Sequence, residues 1–340
     1  MQQPATIVIL RFSAMGDVAM VASVLREFYR QHPETKLVMV SRPAFAPFFA
    51  DNPGVQFHAL KPNDLHKGIG GLQKLAAELR NYKPGAVADL HDNIRSRTVS
   101  LLLRLSGIRI ARIDKGRREK KALTRRKNKK LVPLKHTTER YADVFRKLGL
   151  DIQLSHALQP HRQTLPGGFE TSQKAKLIGI APFAQHSFKI YPTEKMTEVI
   201  SGLNQAGYRL VIFGGGASEK RQAQIWAENY AGVDNTIGRF TLSEELAIIS
   251  NLDLMLSMDS SGMHMASLCG IPVLSVWGPT HPYAGFLGYG QNFEDCIQPE
   301  HPARPNSIYG NRPCYCGDIP CIELITPGEI IARVQQKLES

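Results

Sequence analysis

Short apolar runs along this chain are followed, again and again, by stretches whose hydrophobic residues recur at helical spacing. The first run, Thr6–Phe12, is β-branched and apolar, which predicts a buried strand. Val18–Arg30 follows with apolar residues on one face and predicts a helix. Further strands are predicted at Leu37–Ser41 and Ala86–Leu90, and helices within Leu65–Tyr82 and at Ile94–Leu105. This alternation predicts a doubly wound parallel sheet.

The second half of the chain repeats the same succession. Strands are predicted at Lys176–Ala181, Arg209–Phe213, Leu254–Met258 and Val273–Trp277, and helices at Glu194–Ala206, Glu219–Tyr230, Leu242–Ser250, Met263–Cys269 and Pro327–Leu338. The pattern is weaker between the halves, where a helix is predicted at Thr138–Leu148 and a Pro- and Gly-rich linker at Gln159–Gly168. We therefore expect two α/β domains, each Rossmann-like, over residues 1–165 and 166–340.

Length and composition agree with two ordinary globular domains. The 340 residues are 43% hydrophobic and 21% charged. No apolar run approaches the roughly 18 residues of a transmembrane helix, and the N-terminus lacks the basic start and cleavage site of a signal peptide. We expect a cytoplasmic protein.

The net charge is concentrated in one segment. Lys115–Lys130 holds ten Lys or Arg and one acid, Glu119, and so contributes +9 of the chain's +12. The segment predicts a mobile, exposed excursion of the N-terminal domain that docks on anionic lipid phosphates or headgroups. A nucleic-acid partner is the less favoured alternative, because no aromatic residues interleave with the basic ones.

The segments after the predicted strands are the candidate ligand-binding loops, since ligands of doubly wound sheets bind at the carboxyl ends of the strands. The first, Ser13–Asp17, includes Met15 and Gly16, and Gly16 suits a tight turn or close approach of a ligand. Asp17 is either an N-cap or a general base, and the sequence leaves both open. Arg95 and Arg97, after the strand ending at Leu90, either reach an anionic substrate or form a solvated helix face.

Three loops of the second half carry the other candidates. Lys189, in a polar loop, could reach a phosphate, and Gly214 and Gly215 form either a tight turn or a nucleotide contact. The segment from Asp259 to His264 joins a strand to a helix, where free N–H groups and the helix dipole make an anion site. Its candidate donor-site residues are Asp259, Ser260, Ser261, Gly262 and His264, and the alternative is a plain N-capped helix with a buried histidine.

Several signatures are missing or weak. The chain contains no Gly-x-Gly-x-x-Gly, which argues against a nicotinamide-dependent oxidoreductase, and no Asp-x-Asp to hold a metal-bridged diphosphate. Cys314, Cys316 and Cys321 could bind zinc with Cys296 or His301 as fourth ligand. Their spacing is not the usual Cys-x₂-Cys, so free thiols are the favoured expectation.

Four stretches together resemble glycosyltransferase family 9, the lipopolysaccharide heptosyltransferases. ILRFSAMGDV, from Ile9, is similar to the family's opening signature, and MDSSGMHMASLCGIPVLSVWGPTHP, from Met258, to its C-terminal donor-site signature. DLHDNIRSR, from Asp89, and FGGGASEK, from Phe213, resemble its acceptor-domain segment and a third recurring stretch. Order and spacing agree over nearly the whole chain.

The resemblance implies a GT-B architecture, in which two Rossmann-like domains face a cleft. It also implies inverting, metal-independent transfer of a heptose-like sugar from an ADP-sugar to a lipid-linked, anionic inner-core oligosaccharide, with no cofactor. Carried over by position, Asp17 is the base and Lys189 touches the donor diphosphate, while Glu244 or Glu245 is the donor-binding acid. The family usually has glycine directly after Asp-Ser, whereas Ser261 intervenes here, so donor selectivity is in question.

Overall fold

The computed structural model describes residues 4–170 and 175–339, so the predicted domain ends at residues 1 and 340 lie outside the described residues. The chain forms two compact units. The first comprises Met1–Lys115 with Lys135–Ser155, and the second comprises Gly116–Leu134 with His156–Ser340. The chain therefore passes to the second unit at 155/156, not at 165/166, and residues 116–134 count with the second unit.

The first unit is built on a five-stranded, all-parallel sheet with the order β3-β2-β1-β4-β5. Its strands are β1 Thr6–Leu10, β2 Lys36–Ser41, β3 Val55–Ala59, β4 Ala86–Asp89 and β5 Arg109–Arg112. Its helices are α1 Met15–Gln31, α2 Gly68–Arg80, α3 Ile94–Arg104 and α5 Thr137–Lys147, while α4 belongs to the second unit. Helices α2 and α3 pack together on one face of the sheet, and α1 packs with α5.

The second unit is built on a six-stranded, all-parallel sheet with the order β11-β10-β9-β6-β7-β8. Its strands are β6 Leu177–Ala181, β7 Arg209–Ile212, β8 Val233–Asn235, β9 Leu254–Met258, β10 Val273–Val276 and β11 Cys296–Ile297, with a separate antiparallel hairpin of β12 Tyr315–Cys316 and β13 Ile319–Pro320. Its helices are α4 Arg117–Thr124, α6 Thr193–Gln205, α7 Ala217–Asn229, α8 Leu242–Ile249, α9 Ser261–Leu268 and α10 Pro327–Glu339.

Apolar side chains at strand and helix spacing build both cores. In the first unit, Val8, Val38 and Val87 of three adjacent strands are essentially excluded from solvent together with Leu75 of α2. In the second unit, the helices that cover one face bury their apolar stripes on β6, β7 and β9. The two predicted Rossmann-like sheets are thereby confirmed, with element boundaries shifted by only a few residues.

The basic segment is ordered, contrary to the predicted mobile excursion of the N-terminal domain. Residues 117–124 form α4, and Leu123 on its inner side is fully buried. The ammonium of Lys120 lies 4.1 Å from the centroid of the Phe286 ring, a cation–π contact. Lys129 Nζ donates to the carbonyls of residues 302, 303 and 304 at 2.8–2.9 Å. The prediction was wrong because two of the basic side chains serve as anchors within the second unit.

The predicted linker, Gln159–Gly168, runs over the second unit without regular secondary structure. The backbone N–H of Gln163 donates to Ser250 Oγ at 2.9 Å, which fixes the linker to the end of α8. In the described part of the chain, every helix falls short of the length and apolar character that spanning a membrane requires.

Candidate active site

Each sheet has one point at which the strand order reverses, between β1 and β4 in the first unit and between β6 and β9 in the second. Helices that leave such neighbouring strands on opposite faces open a crevice at the carboxyl ends. The loops after β1 and β4 are called the first half-site, and those after β6 and β9 the second half-site. Most of the residues chosen from the sequence lie in these four loops.

Asp17 lies in the first half-site, one turn into α1. Because α1 begins at Met15 with Ala14 as its N-cap, Asp17 occupies the third helical position, and the interpretation of Asp17 as the N-cap is wrong. Its Oδ2 accepts the Ala14 N–H at 3.3 Å and lies 2.5 Å from Arg11 Nη2. Tyr141 Oη lies 3.4 Å from Oδ1. About a quarter of the side chain is exposed, so a substrate can reach it.

The other three residues predicted in this loop lie at or just before the start of α1. Ser13 lies just before the helix, and Met15 and Gly16 form its first turn. Gly16 is buried and helical, so the predicted tight turn at this glycine is wrong. The backbone therefore enters α1 directly after β1, which brings Asp17 to the edge of the sheet.

Arg11 is a residue that sequence reasoning missed. It is only 8% exposed, and its guanidinium joins Asp17 to the Leu90 carbonyl at the end of β4, where Nη1 donates at 2.9 Å. One side chain thus connects both loops of the first half-site. The available signal was an arginine directly after an apolar strand, because a buried arginine requires a partner.

The loop after β4 is organised by a fully buried carboxylate. Asp89 Oδ1 accepts the N–H groups of His91 and Asp92 at 3.1 and 2.8 Å, and Oδ2 accepts the Ser96 hydroxyl at 3.1 Å. Phe12 N–H donates to His91 Nδ1 at 2.9 Å. Burial, and then the positive charges of Arg11 and Lys115, lower the pKa of His91 to about 3, so the ring is neutral at physiological pH.

Arg95 and Arg97 both project from the first turn of α3 and are exposed. Arg97 Nε is hydrogen-bonded to Asp92 Oδ1 at 2.6 Å, which fixes this guanidinium beside the first half-site. The structure therefore places both predicted acceptor-binding arginines at the expected loop. Both side chains are exposed on this helix turn, and the guanidinium of Arg97 is paired with Asp92.

The second half-site brings together two residues predicted from loops 70 positions apart. Lys189 ends a short 3-10 turn after β6, and Asp259 follows β9 directly. Lys189 Nζ lies 3.1 Å from Asp259 Oδ2, and both side chains are at most 14% exposed. The pairing holds a positive charge beside the N-terminus of α9, where a phosphate can compete with the carboxylate for the lysine.

The turn into α9 has an open N-terminus. Ser260 is the N-cap, yet its side chain makes no capping bond and its Oγ contacts Ser257 Oγ at 3.4 Å. Ser261 is the first helical residue, so α9 begins two residues before the predicted Met263. Gly262 packs on β6, since a Cβ there would lie 2.4 Å from Ala181 Cβ, and His264 is buried one turn further on. Such uncapped N–H groups favour an anion.

The three glycines after β7 form a turn, not an open phosphate cradle. The Gly215 N–H donates to Glu219 Oε2 at 2.7 Å, so a carboxylate already occupies this position. Gly214 is tightly packed, since a Cβ there would meet Phe183 at 2.8 Å. Gly216, at φ +89°, caps α7. Of the two interpretations left open by the sequence, the structure favours the tight turn.

Thr280, after β10, is a second residue that sequence reasoning missed. It is 1% exposed, and its hydroxyl oxygen lacks a hydrogen-bond partner among the described residues. Its methyl group and the Lys189 side chain both border Gly310. A buried hydroxyl without a partner is uncommon, and this one lies in the loop after β10 beside the same glycine as Lys189. Thr280 lies within the stretch from Met258 that resembles the donor-site signature, but its spacing does not distinguish it from the neighbouring residues of that stretch.

A comparison with known families supports this geometry. The model of a family described as Glycosyltransferase family 9 (heptosyltransferase) matches residues 72–308, well over half of the chain. The chain belongs to glycosyltransferase family 9. The match includes α3 and the whole second half-site, and it begins after Asp17.

Two curated relatives match much of the family 9 chain. Lipopolysaccharide heptosyltransferase 3 of Escherichia coli is 23% identical over 285 residues, which cover 78% of this chain and 81% of the relative. Lipopolysaccharide core heptosyltransferase OpsX of Haemophilus influenzae (strain ATCC 51907 / DSM 11121 / KW20 / Rd) is 23% identical over 288 residues, covering 83% and 81%. The chain is therefore a glycosyltransferase, as predicted.

Solved family 9 structures share the fold. A family 9 glycosyl transferase from Veillonella parvula DSM 2008 superposes with a TM-score of 0.75 at 19% identity, covering 99% of this chain and 98% of that one. E. coli heptosyltransferase WaaC with ADP gives 0.69 at 18% identity, covering 98% and 99%. Together with the two parallel sheets, these similarities confirm the predicted GT-B fold.

The structure distinguishes the two acids carried over as alternatives in this family 9 chain. Glu244 closes a capping box at the start of α8, where its Oε2 accepts the Thr241 N–H and hydroxyl at 2.7 and 2.8 Å. Glu245, the next residue, takes no part in this cap. Burial raises the pKa of Glu245 to about 7. The Glu244 carboxylate is engaged in the helix cap, whereas the Glu245 carboxyl has a pKa that burial has shifted.

Replacing Glu245 by Gln should stabilise the protein above pH 7. The folded-state pKa lies above the ordinary value, so the folded state binds this proton more tightly and loses stability as pH rises from about 4.5 to 7. Glu245→Gln removes this penalty, and we expect a gain of about 1–3 kcal/mol at pH 8 and little change at pH 4.5. Urea unfolding at both pH values measures it. Glu244→Gln, which weakens the cap, should instead destabilise at pH 8.

Proposed function

We propose that this glycosyltransferase moves a heptose-like sugar from an ADP-sugar to a lipopolysaccharide inner-core acceptor, with inversion, without a cofactor and with no metal ion taking part in the transfer. The observation that carries the proposal is the Lys189–Asp259 pair beside the uncapped N-terminus of α9. The names of the curated relatives support the sugar and the acceptor. A family 9 transferase with another nucleotide sugar or acceptor is the alternative, which a donor screen separates.

The donor half of the mechanism rests on the second half-site. The leaving nucleoside diphosphate develops negative charge as the bond to the anomeric carbon breaks. Lys189 and the N–H groups at the start of α9 stabilise this charge, the task that a divalent metal performs in other transferases. Asp259 holds the lysine in position until the phosphates arrive. Ser260, Ser261, Gly262 and His264 line the same turn.

The acceptor half rests on the first half-site. Asp17 removes the proton from the acceptor hydroxyl, and the oxygen attacks the anomeric carbon on the face opposite the diphosphate. Arg11 holds the carboxylate by the ion pair at 2.5 Å. Arg95 and Arg97, exposed at the start of α3, bind anionic groups of the acceptor. Ser13, Met15 and Gly16 shape the surface beside Asp17.

The exposed residues of the basic segment form a surface that we call the basic face. It consists of Arg117, Arg118, Lys121, Arg125, Arg126, Lys127 and Lys130. Lys120, Leu123 and Lys129 anchor it within the second unit, so the charges are presented from an ordered surface. We propose that the basic face contacts acceptor-lipid phosphates and anionic headgroups, which places the enzyme in the cytoplasm and peripherally on the inner membrane. Lipid is preferred to nucleic acid in this proposal, because no aromatic residues interleave with the basic ones.

Transfer should persist in excess EDTA and depend on the adenine nucleotide. We expect turnover with an ADP-heptose and none above background with UDP-, GDP- or CDP-sugars, each with EDTA present from the start. Product is measured by mass spectrometry of the acceptor. Loss of all turnover in EDTA, restored by Mg²⁺, would show that the second half-site does not carry the leaving charge alone. Turnover with another nucleotide would favour the alternative donor.

Asp17→Asn should lower kcat by at least about two orders of magnitude, because it removes the proton acceptor and preserves the shape of the side chain. It also breaks the ion pair with the buried Arg11, so some loss of stability is expected. Arg11→Gln breaks the same pair and retains the carboxylate, which makes it the matched control. Asp17→Asn leaves the buried Arg11 charge unpaired, so we expect it to melt no higher than Arg11→Gln, and we expect at least a tenfold higher kcat for Arg11→Gln. Equal losses of kcat would reduce Asp17 to a structural partner.

Neutralising the basic face should weaken membrane binding without affecting the donor. We expect Gln at Arg117, Arg118, Lys121, Arg125 and Arg126 to lower affinity for phosphatidylglycerol vesicles at least about a hundredfold, since each charge contributes about 1 kcal/mol. The matched control removes five exposed lysines elsewhere, Lys36, Lys61, Lys67, Lys74 and Lys83. Co-sedimentation at low and high salt measures binding. An equal loss in both variants would mean that net charge alone matters and that the basic face has no special role.

A further inference from the structure

Three of the five cysteines converge near the C-terminus. Cys314, Cys316 and Cys321 form one buried cluster with Ala303 packed against it, and the hairpin of β12 and β13 brings them together. Cys316 and Cys321 are joined as a disulfide, so free thiols, the favoured expectation, are wrong for these two. Cys314 Sγ lies 2.9 Å from Cys321 Sγ. Cys296 lies in β11 and directs its sulfur to Ser275 and Asn292 instead.

Two cations flank this cluster. Arg304, 3% exposed, donates to the carbonyls of Gly278, Pro299, Trp277 and Thr280 and to Gln298 Oε1. Lys129 Nζ donates to three further carbonyls.

All of these acceptors are neutral. Among the described residues, neither Lys129 nor Arg304 has a carboxylate within ion-pair distance. Arg304 is buried, and a buried cation without a counter-charge is costly even when every donor is hydrogen-bonded, whereas Lys129 is only partly buried.

Both cations interact electrostatically with Cys314. Lys129 Nζ donates to the Ala303 carbonyl at 2.9 Å, and Arg304 is the next residue, so both cations lie beside the residue that packs on the three sulfurs. With Cys316 and Cys321 joined as a disulfide, those two sulfurs carry no negative charge. Three thiolates around a divalent ion would carry a net charge of −1, which offsets half of the +2 charge of Lys129 and Arg304.

We propose that the reduced chain binds a thiophilic divalent metal ion, with zinc as the expected species, on the Sγ atoms of Cys314, Cys316 and Cys321. Sulfur ligands select such ions, and Zn–S bonds of about 2.3 Å place neighbouring sulfurs about 3.8 Å apart. The contact between Cys314 and Cys321 must therefore widen by only about 1 Å. A water or small anion completes the four ligands of a tetrahedral ion.

The metal-bound form and the disulfide form are related by a balanced exchange. A thiol reductant of the glutathione class gives two electrons and two protons to the Cys316–Cys321 bond, and two of its own thiols become one disulfide. The three protein thiols then release three protons as the metal binds, since only the thiolate is a ligand.

The role that follows is structural. Ala303 packs on the cysteine cluster, and the next residue, Arg304, holds the carbonyls of Trp277, Gly278 and Thr280. These carbonyls belong to the loop after β10 that carries the buried hydroxyl of Thr280. Lys129, on the other side, fixes the end of the basic segment. A negative metal–thiolate centre would stabilise both cations and hence both attachments.

The test is the metal content of the full chain purified in reducing buffer, with no metal added and any metal-binding tag removed. We expect about one Zn²⁺ per chain by plasma mass spectrometry. A mercurial reagent should release the ion in step with thiol modification, followed with a colorimetric zinc indicator. Cys314→Ser and Cys321→Ser should each lower the content to below about a tenth. Cys269→Ser, a buried cysteine outside the cluster, should retain it.

The wild-type protein decides the question even if the serine variants fail to fold. Fewer than about 0.1 ions of any metal per reduced chain, with all five thiols titrating after denaturation, would overturn the proposal in favour of free cysteines. Three titrating thiols would overturn it in favour of a stable disulfide. Stoichiometric iron that is lost in Cys314→Ser would support the thiolate site and correct the expected ion.

Discussion

Both half-sites depend on the arrangement of two neighbouring parallel strands whose helices leave on opposite faces. In the first unit α1 follows β1 and packs with α5, whereas α3 follows β4 and packs with α2 on the other face. In the second unit β6 and β9 stand in the same relation. The carboxyl ends of such a strand pair are not covered by either helix, so backbone N–H groups and polar side chains can gather there without blocking the core. Asp17 and Lys189 follow the corresponding strands of the two sheets, β1 and β6, for this reason.

Each half-site also contains one close pair of opposite charges, and the two pairs differ in what a ligand would do to them. Arg11 and Asp17 lie 2.5 Å apart with the arginine almost fully buried, so Arg11 stays where it is and only the carboxylate faces outward. Lys189 and Asp259 are paired more loosely, at 3.1 Å, through a flexible lysine. A diphosphate can draw the lysine away, and Asp259 then lies beside the positive end of α9, which favours its negative charge.

The long elements and the four ligand loops could be predicted from sequence because their signal is local. A buried strand such as Leu254–Met258 is one continuous apolar run, and its boundaries were predicted without error. The short edge strands β5 and β8 lack such a run, since an edge strand buries less. The anchoring of the basic segment could not be predicted from the neighbouring sequence. Lys120 and Lys129 look like their charged neighbours in sequence, and only Phe286 and the carbonyls of residues 302–304, more than 150 positions away, set them apart.

Polar contacts between residues far apart in the sequence account for the other features of the structure that the sequence did not predict. The contact of Arg11 with Leu90 spans 79 positions, and neither sequence segment contains a pattern that predicts it. The sequence did carry a signal that separates Glu244 from Glu245, because Thr241 and Glu244 have the spacing of a capping box at the helix start predicted at Leu242. Thr241 fixes that start, so the carboxylate of Glu244 is engaged by the helix, and the carboxyl of Glu245 is left in a partly buried position.

Ser261, the serine inserted before Gly262, can affect donor selectivity without affecting the fold, because the packing here depends on Gly262. Gly262 touches Ala181 and Ser257, so a side chain at this position would push α9 away from β6. The glycine therefore fixes the distance between helix and sheet, whatever residue precedes it. Ser261 occupies the first helical position and is only partly buried, so its hydroxyl is added at the turn where the donor phosphates are proposed to bind. A change at Ser261 alters the chemistry of that turn without altering the packing beneath it, which is why the departure from the family pattern bears on the donor and leaves the fold intact.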